Sequence, residues 1–123
     1  MGSDKRSSIE LNVHYGPLEV VDVRALVEAC TDTWYNQSLC RVNDCVVRLG
    51  VFLGEFHWHK HDYEDEFFHV VSGQLAVDLE GRTVELQPGQ GFTVPRGVVH
   101  RTRSAERTVV LMVQGARVQP TGD

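Results

Sequence analysis

Between Cys45 and Gln114 apolar residues return at every second position in short runs, and turns bearing glycine or proline separate those runs without any stretch of helical period. Side chains that change face at each residue belong to β-strands, so the pattern restricts this part of the chain to strands joined by turns. Val47, Leu49, Val51 and Leu53 alternate with Arg48 and Gly50, and Leu75, Val77 and Leu79 alternate with Ala76, Asp78 and Glu80. Glu80-Gly81-Arg82 then turns into Thr83-Val84-Glu85-Leu86, which is a hairpin by pattern. Gln87-Pro88-Gly89-Gln90-Gly91 reads as a tight loop, Phe92 to Val94 as a short strand, and Thr108 to Gln114 as an apolar strand covered on both faces. An all-β antiparallel sandwich or barrel is the expected class.

The residues ahead of this region read differently. Residues 1–8 are polar and expected to be flexible, whereas Ile9 to Tyr15 alternates as a half-buried strand that Gly16-Pro17 ends. Asp22 is an N-cap candidate for a short helix, with Val23, Leu26, Val27 and Cys30 on one face. Thr31 to Asn36 reads as a loop, with Trp34-Tyr35 expected over one end of the barrel or in a dimer contact. The expected organisation is a flexible terminus over 1–8, a strand and helix extension over 9–45, a barrel over 46–118 and a tail over 119–123.

A chain of 123 residues accommodates one domain, and 41% hydrophobic with 24% charged residues suits a soluble globular protein. The formal charge of −5 gives no nucleic-acid footprint. No apolar run reaches membrane length and Met1 to Arg6 lacks the apolar core of a signal peptide, so a cytoplasmic location is expected. Cys30, Cys40 and Cys45 are spaced unlike zinc-binding pairs and read as free thiols.

The chemistry concentrates between Trp58 and Gly73. His59 and His61, two apart on an extended chain, point the same way, and Glu66 can return to that side from the next strand. Two imidazoles and a carboxylate suit a first-row divalent ion. Pro95 to Gly97 places a turn ahead of a strand starting near Val98, which carries the fourth expected ligand, His100. If the parity of Val47 to Leu53 continues, Glu55 and His57 also face inward; with Glu66 they are the candidate catalytic residues. This holds only without an extra residue near Gly54. The same parity puts Arg48 and Lys60 outward, and His69 away from the site. Arg101 and Arg103, opposite in phase to His100, are expected as solvated surface.

These two stretches resemble the paired motifs of the cupin superfamily. His59, His61, Glu66 and Gly73 have the spacing of the first motif, with Gly54 one position too close to His59; Gly89, Pro95, Gly97 and His100 fit the second, with Ser104 in place of its asparagine. The resemblance covers Val46 to about Val113 and implies a double-stranded β-helix barrel preceded here by the short helical segment. It also implies one divalent transition metal ion, Fe, Mn, Ni, Cu or Zn, on His59, His61, Glu66 and His100.

Four convergent ligands leave an octahedral ion open positions, which a purely bracing metal does not need. The leading expectation is therefore a metal-dependent enzyme acting on a small carbonyl, enol or hydroxy compound, of isomerase, lyase, cyclase or dioxygenase type. The alternatives are a pocket that binds a small molecule or sugar without turnover, and a structural domain with an incidental metal. The expected partners are a small molecule and a second copy of the chain, because Ile9 to Tyr15 and the outward Phe56, Trp58 and Phe67 call for cover. Neither nucleic acid nor membrane is expected.

Overall fold

The computed structural model describes residues 7–122; the expectation of a flexible start falls largely on residues outside this range. The strands are β1 (Ser7–Glu10), β2 (Trp34–Val42), β3 (Cys45–Glu55), β4 (Glu66–Ser72), β5 (Leu75–Leu79), β6 (Arg82–Leu86), β7 (Gly91–Val94) and β8 (His100–Gly115), with one helix, α1 (Val23–Ala29), between β1 and β2. Strand β8 organises them. Along one side it pairs antiparallel with β3; along the other its first residues pair with β5 and its later residues with β4. Strands β6 and β7 extend the sheet from β5 and β4, and β2 and β1 extend it from β3. Among the described strands only the β1–β2 pair is parallel.

The sheet curls around an interior core of Phe52, Phe68, Val70, Leu75, Val77, Leu86, Val94, Val110 and Met112. A second core lies on the outside of β2, β3 and β8, where Leu39, Leu49, Val51 and Val109 are covered by Tyr15, Val21, Val23, Leu26 and Val27. The helix expected after Asp22 is present, and the Asp22 carboxylate accepts the Ala25 amide at 3.0 Å, satisfying one of the helix's unpaired donors. Its apolar face is the predicted one.

This second core corrects the facing of β3. The alternating Val47, Leu49 and Val51 pack outward under α1, while Arg48, Gly50 and Phe52 face the barrel interior. Both faces of the strand are covered, so apolar alternation could not tell inside from outside. The register confirms it, because Arg48, Gly50 and Phe52 stand opposite Met112, Val110 and Thr108, all buried. Arg48, expected outward, is 2% exposed.

Two upstream expectations also change. Strand β1 ends at Glu10 rather than running to Tyr15; the Gln37 amide donates to the Asn12 carbonyl at 3.1 Å, and the His14 and Tyr15 amides then rejoin β2 at the Ser38 and Leu39 carbonyls. Thr31 to Asn36 is not all loop, since β2 begins at Trp34. Its polar Asn36-Gln37-Ser38 run hides the strand because Asn36 and Ser38 face a polar part of the interior. Trp34 covers part of the barrel core, stacking on Phe52 and Phe56 at centroid distances of 5.3 and 4.8 Å. No helix among the described residues is long and apolar enough to cross a membrane.

Candidate metal centre

Strand pairing explains how His59 reaches the interior. Glu55 pairs with Arg103 and the Phe56 amide donates to the Thr102 carbonyl, yet His59, not Trp58, pairs with His100 through two backbone hydrogen bonds of 2.9 and 2.8 Å. One extra residue between Phe56 and His59 therefore inverts the phase of the chain. The interior side of β3 is opposite to the expected one, and this bulge reverses the phase again, so His59 and His61 lie inward while Glu55 does not. Glu55 is exposed, and its carboxylate accepts from Arg101 at 3.2 Å. His57 is exposed as well and donates through Nε2 to the Thr121 carbonyl at 2.7 Å. Of the three candidate catalytic residues, only Glu66 stands within the cluster.

The remaining candidate ligands are held by turns and strands. The Gly97 amide donates to the His61 carbonyl at 2.7 Å and the Arg96 amide to Asp65 Oδ1 at 2.9 Å, locking the loop after His61 against the turn before His100. Gly97 has φ +80°, a conformation that favours glycine. Glu66 opens β4 on its inward face, opposite Gln114.

His59, His61, Glu66 and His100 each offer a ligand atom, and these atoms lie within 4.8 Å of one another, a group that could hold a metal ion. Glu66 Oε1 lies 3.2 Å from His61 Nε2 and 3.3 Å from His100 Nε2. Donors around a first-row ion with bonds of about 2.1 Å are separated by roughly 3 to 4 Å, so little contraction is needed. Hydrogen bonding strengthens the fit. His59 Nδ1 donates to the His57 carbonyl and His100 Nδ1 to the Val98 carbonyl, both at 2.9 Å, which leaves Nε2 of each neutral ring as an acceptor. An acceptor 3.3 Å from a carboxylate requires a cation between them, either a proton or a metal ion. His61 is 3% exposed and neither ring nitrogen makes a well-directed hydrogen bond, a costly arrangement unless a ligand is taken.

The electrostatics favour the ligating protonation states. Burial pushes His59 down to about 4, outweighing its bond to the His57 carbonyl, so the ring is neutral at physiological pH. Burial alone would raise Glu66, but its contacts with His100 and His61 outweigh that and bring it to about 2. The Glu66 carboxylate is supported from behind. The Gln114 amide, oriented by its neighbours, donates to Glu66 Oε2 at 2.6 Å and accepts from Arg48 Nε at 3.1 Å. Arg48 Nη2 donates to the Val118 carbonyl at 3.3 Å.

Sequence reasoning missed Arg48, Gln114, Asn36 and Ser38 as interior residues. The available signal was phase: Thr102, Ser104, Thr108 and Gln114 share the parity of His100, and pairing β3 with them would have turned Arg48 inward. His69 points away, as expected, with its ring 6.5 Å from Phe67. Arg101 and Arg103 do lie on the face opposite His100, but they clamp a buried carboxylate rather than standing free: both donate to Asp78 Oδ2, at 2.8 and 2.7 Å. Arg103 foremost, with Thr83 and Arg101, holds the Asp78 carboxyl well below the usual range.

The same residues place the chain among known proteins. The Cupin_2 model, described as a cupin domain, matches residues 53–114, half of the chain. The chain belongs to the cupin family. This cupin is 46% identical over 80 residues to the uncharacterized protein YdbB of Bacillus subtilis, covering 64% of the chain and 71% of YdbB. It is 46% identical over 59 residues to the polyketide synthase CurC of Streptomyces cyaneus, covering 48% of the chain but 36% of CurC. Among solved structures, a cupin-2 domain protein from Shewanella frigidimarina superposes with a TM-score of 0.75 at 26% identity, covering 78% of this chain and 94% of that one.

Proposed function

We propose that this cupin is a metal-dependent enzyme acting on a small carbonyl, enol or hydroxy compound. The observation that carries the reading is the convergence of three imidazoles on one buried carboxylate, with neither ring nitrogen of the buried His61 making a well-directed hydrogen bond. His59, His61, Glu66 and His100 would hold one divalent transition ion, which when bound supplies Lewis-acid chemistry toward a carbonyl or enol oxygen or, as iron, dioxygen chemistry. The protein residues do the positioning. The backbone carbonyls of His57 and Val98 fix the tautomers of His59 and His100, and Gln114 holds the Glu66 carboxylate in place. Phe68 and Met112, beside Glu66 on the inner faces of β4 and β8, keep that side of the cluster dry. The 46% identity with part of a polyketide synthase supports a substrate of carbonyl or enol character.

Metal content by mass spectrometry tests the site. The wild-type chain and His69→Ala should retain about one equivalent, while His59→Ala, Glu66→Gln and His100→Ala should lose most of it. Full occupancy in the last three would overturn the assignment. Oxygen uptake by the iron-loaded protein with catechols, flavonols and β-diketones then separates dioxygen chemistry from isomerase or lyase chemistry. The same reading includes a homodimer, supported by the exposed Ile9, Leu11 and Val13 along and beyond the β1 edge.

A further inference from the structure

Arg48 is an expensive residue to bury. Its guanidinium lies inside the barrel at 2% exposure, with Nε on Gln114 and Nη2 on the Val118 carbonyl, while Nη1 is buried with no partner. A buried cation with an unused donor is unfavourable unless something supplies the missing acceptor. Two neighbours share the deficit. Ser38 pairs directly with Arg48 across β2 and β3, and Asn36 pairs with Gly50 one step along the same inward face. Ser38 Oγ and Asn36 Oδ1 are likewise buried and unpartnered.

Charge points the same way. Glu66 is the carboxylate nearest this guanidinium in the chain of contacts, reached through the Gln114 amide. If Glu66 ligates a divalent ion, its single negative charge cannot offset both that ion and Arg48, and the interior is left positive. An anionic ligand reaching from the ion to Arg48 would restore the balance, with guanidinium and hydroxyl donors that suit a carboxylate.

We propose that Arg48, with Ser38 and Asn36 beside it, forms a subsite for the carboxylate of a ligand whose carbonyl or enol oxygens occupy the metal cluster. This rests on the metal reading above and adds the substrate's charge: an oxo, enol or hydroxy acid rather than a neutral compound. The unpartnered Nη1 and Ser38 Oγ donate to the carboxylate, and Asn36 Oδ1 accepts from a ligand hydroxyl.

The test uses two hydroxypyranones that chelate through the same pair of oxygens, kojic acid with a hydroxymethyl group and comenic acid with a carboxylate in its place. The full chain, loaded with Co(II) and checked for one equivalent of metal, is titrated with each by visible absorption. Wild type should bind comenic acid about tenfold or more tighter than kojic acid, the scale of one charge-assisted hydrogen-bond pair. Arg48→Gln should reduce that preference to within about twofold, read as the ratio of the two affinities in protein that carries one equivalent of metal. Ser38→Ala, which removes only a hydroxyl, should weaken comenic acid severalfold and serves if Arg48→Gln does not fold. A metal-loaded wild type without preference, or a preference that survives in the variants, overturns the subsite alone. A wild type that takes up no metal overturns the metal reading beneath it.

Discussion

His59 pays for its place in the interior with its basicity. Burial holds it at about 4, below the ordinary histidine value of 6.5, so in the metal-free protein the unfolded chain takes up a proton that the folded chain refuses. The folded pKa is depressed; the associated stability is therefore complete above pH 6.5 and is lost as pH falls toward 4. The loss is bounded at on the order of 3 kcal/mol, less what solvent screens at this half-buried ring. Glu66, at about 2, extends the decline below pH 4.5. Urea unfolding of metal-free protein at pH 7, 5.5 and 4.5 should show the midpoint falling with pH, and His59→Gln should flatten the upper part of that fall. An unchanged slope in His59→Gln would assign the acid sensitivity to other groups.

At the scale of elements, β3 is a strand with two cores to serve. Its outward Leu49 and Val51 are fully buried under α1 and the Tyr15 to Val21 segment, and its inward face carries Arg48 and Phe52. Leu49→Ala should therefore cost about 2–5 kcal/mol, as a cavity beneath a helix, without changing metal content, because the site lies on the other face. Asp22→Ala, which removes the helix cap, should cost about 1 kcal/mol. Denaturant midpoints measured alongside metal occupancy check both; a Leu49→Ala variant that loses metal in proportion to stability would show the two faces to be coupled. The bulge between Phe56 and His59 and the register break between Phe52 and Gly54 are the points where β3 passes from supporting the helix to presenting ligands.

For the whole molecule, the interior and outer cores are built from residues outside the metal cluster, so the ion should add stability by mass action rather than create the fold. At free metal about a thousand times its dissociation constant the increment is about 4 kcal/mol. Chelation should lower the melting temperature while leaving the β-type circular dichroism intact; collapse of the spectrum on chelation would mean that the ion builds the barrel. Sedimentation at micromolar concentration should show a dimer, with Leu11 51% exposed just beyond β1, the edge strand among the described residues, and open to cover by a second copy. Only monomer under those conditions would remove the dimer from this reading.

The amino-acid order by itself marked β3 to β7 and the two ends of β8, the helix cap and face at Asp22, and the four candidate ligands His59, His61, Glu66 and His100. Each of these rests on local periodicity or on spacing that the backbone cannot evade. The continuity of β8 through its arginine-rich residues 101–107 was not legible. Which side of β3 is the interior was decided only by tertiary structure. A strand buried on both faces carries no polar side to mark solvent, and one inserted residue between Phe56 and His59 reverses every side chain on one side of it. That phase reversal put Glu55 outside on Arg101 and Arg48 inside beside Gln114. The same uncertainty of side concealed β2, whose buried Asn36 and Ser38 face inward beside Gly50 and Arg48 and break the apolar alternation of a strand.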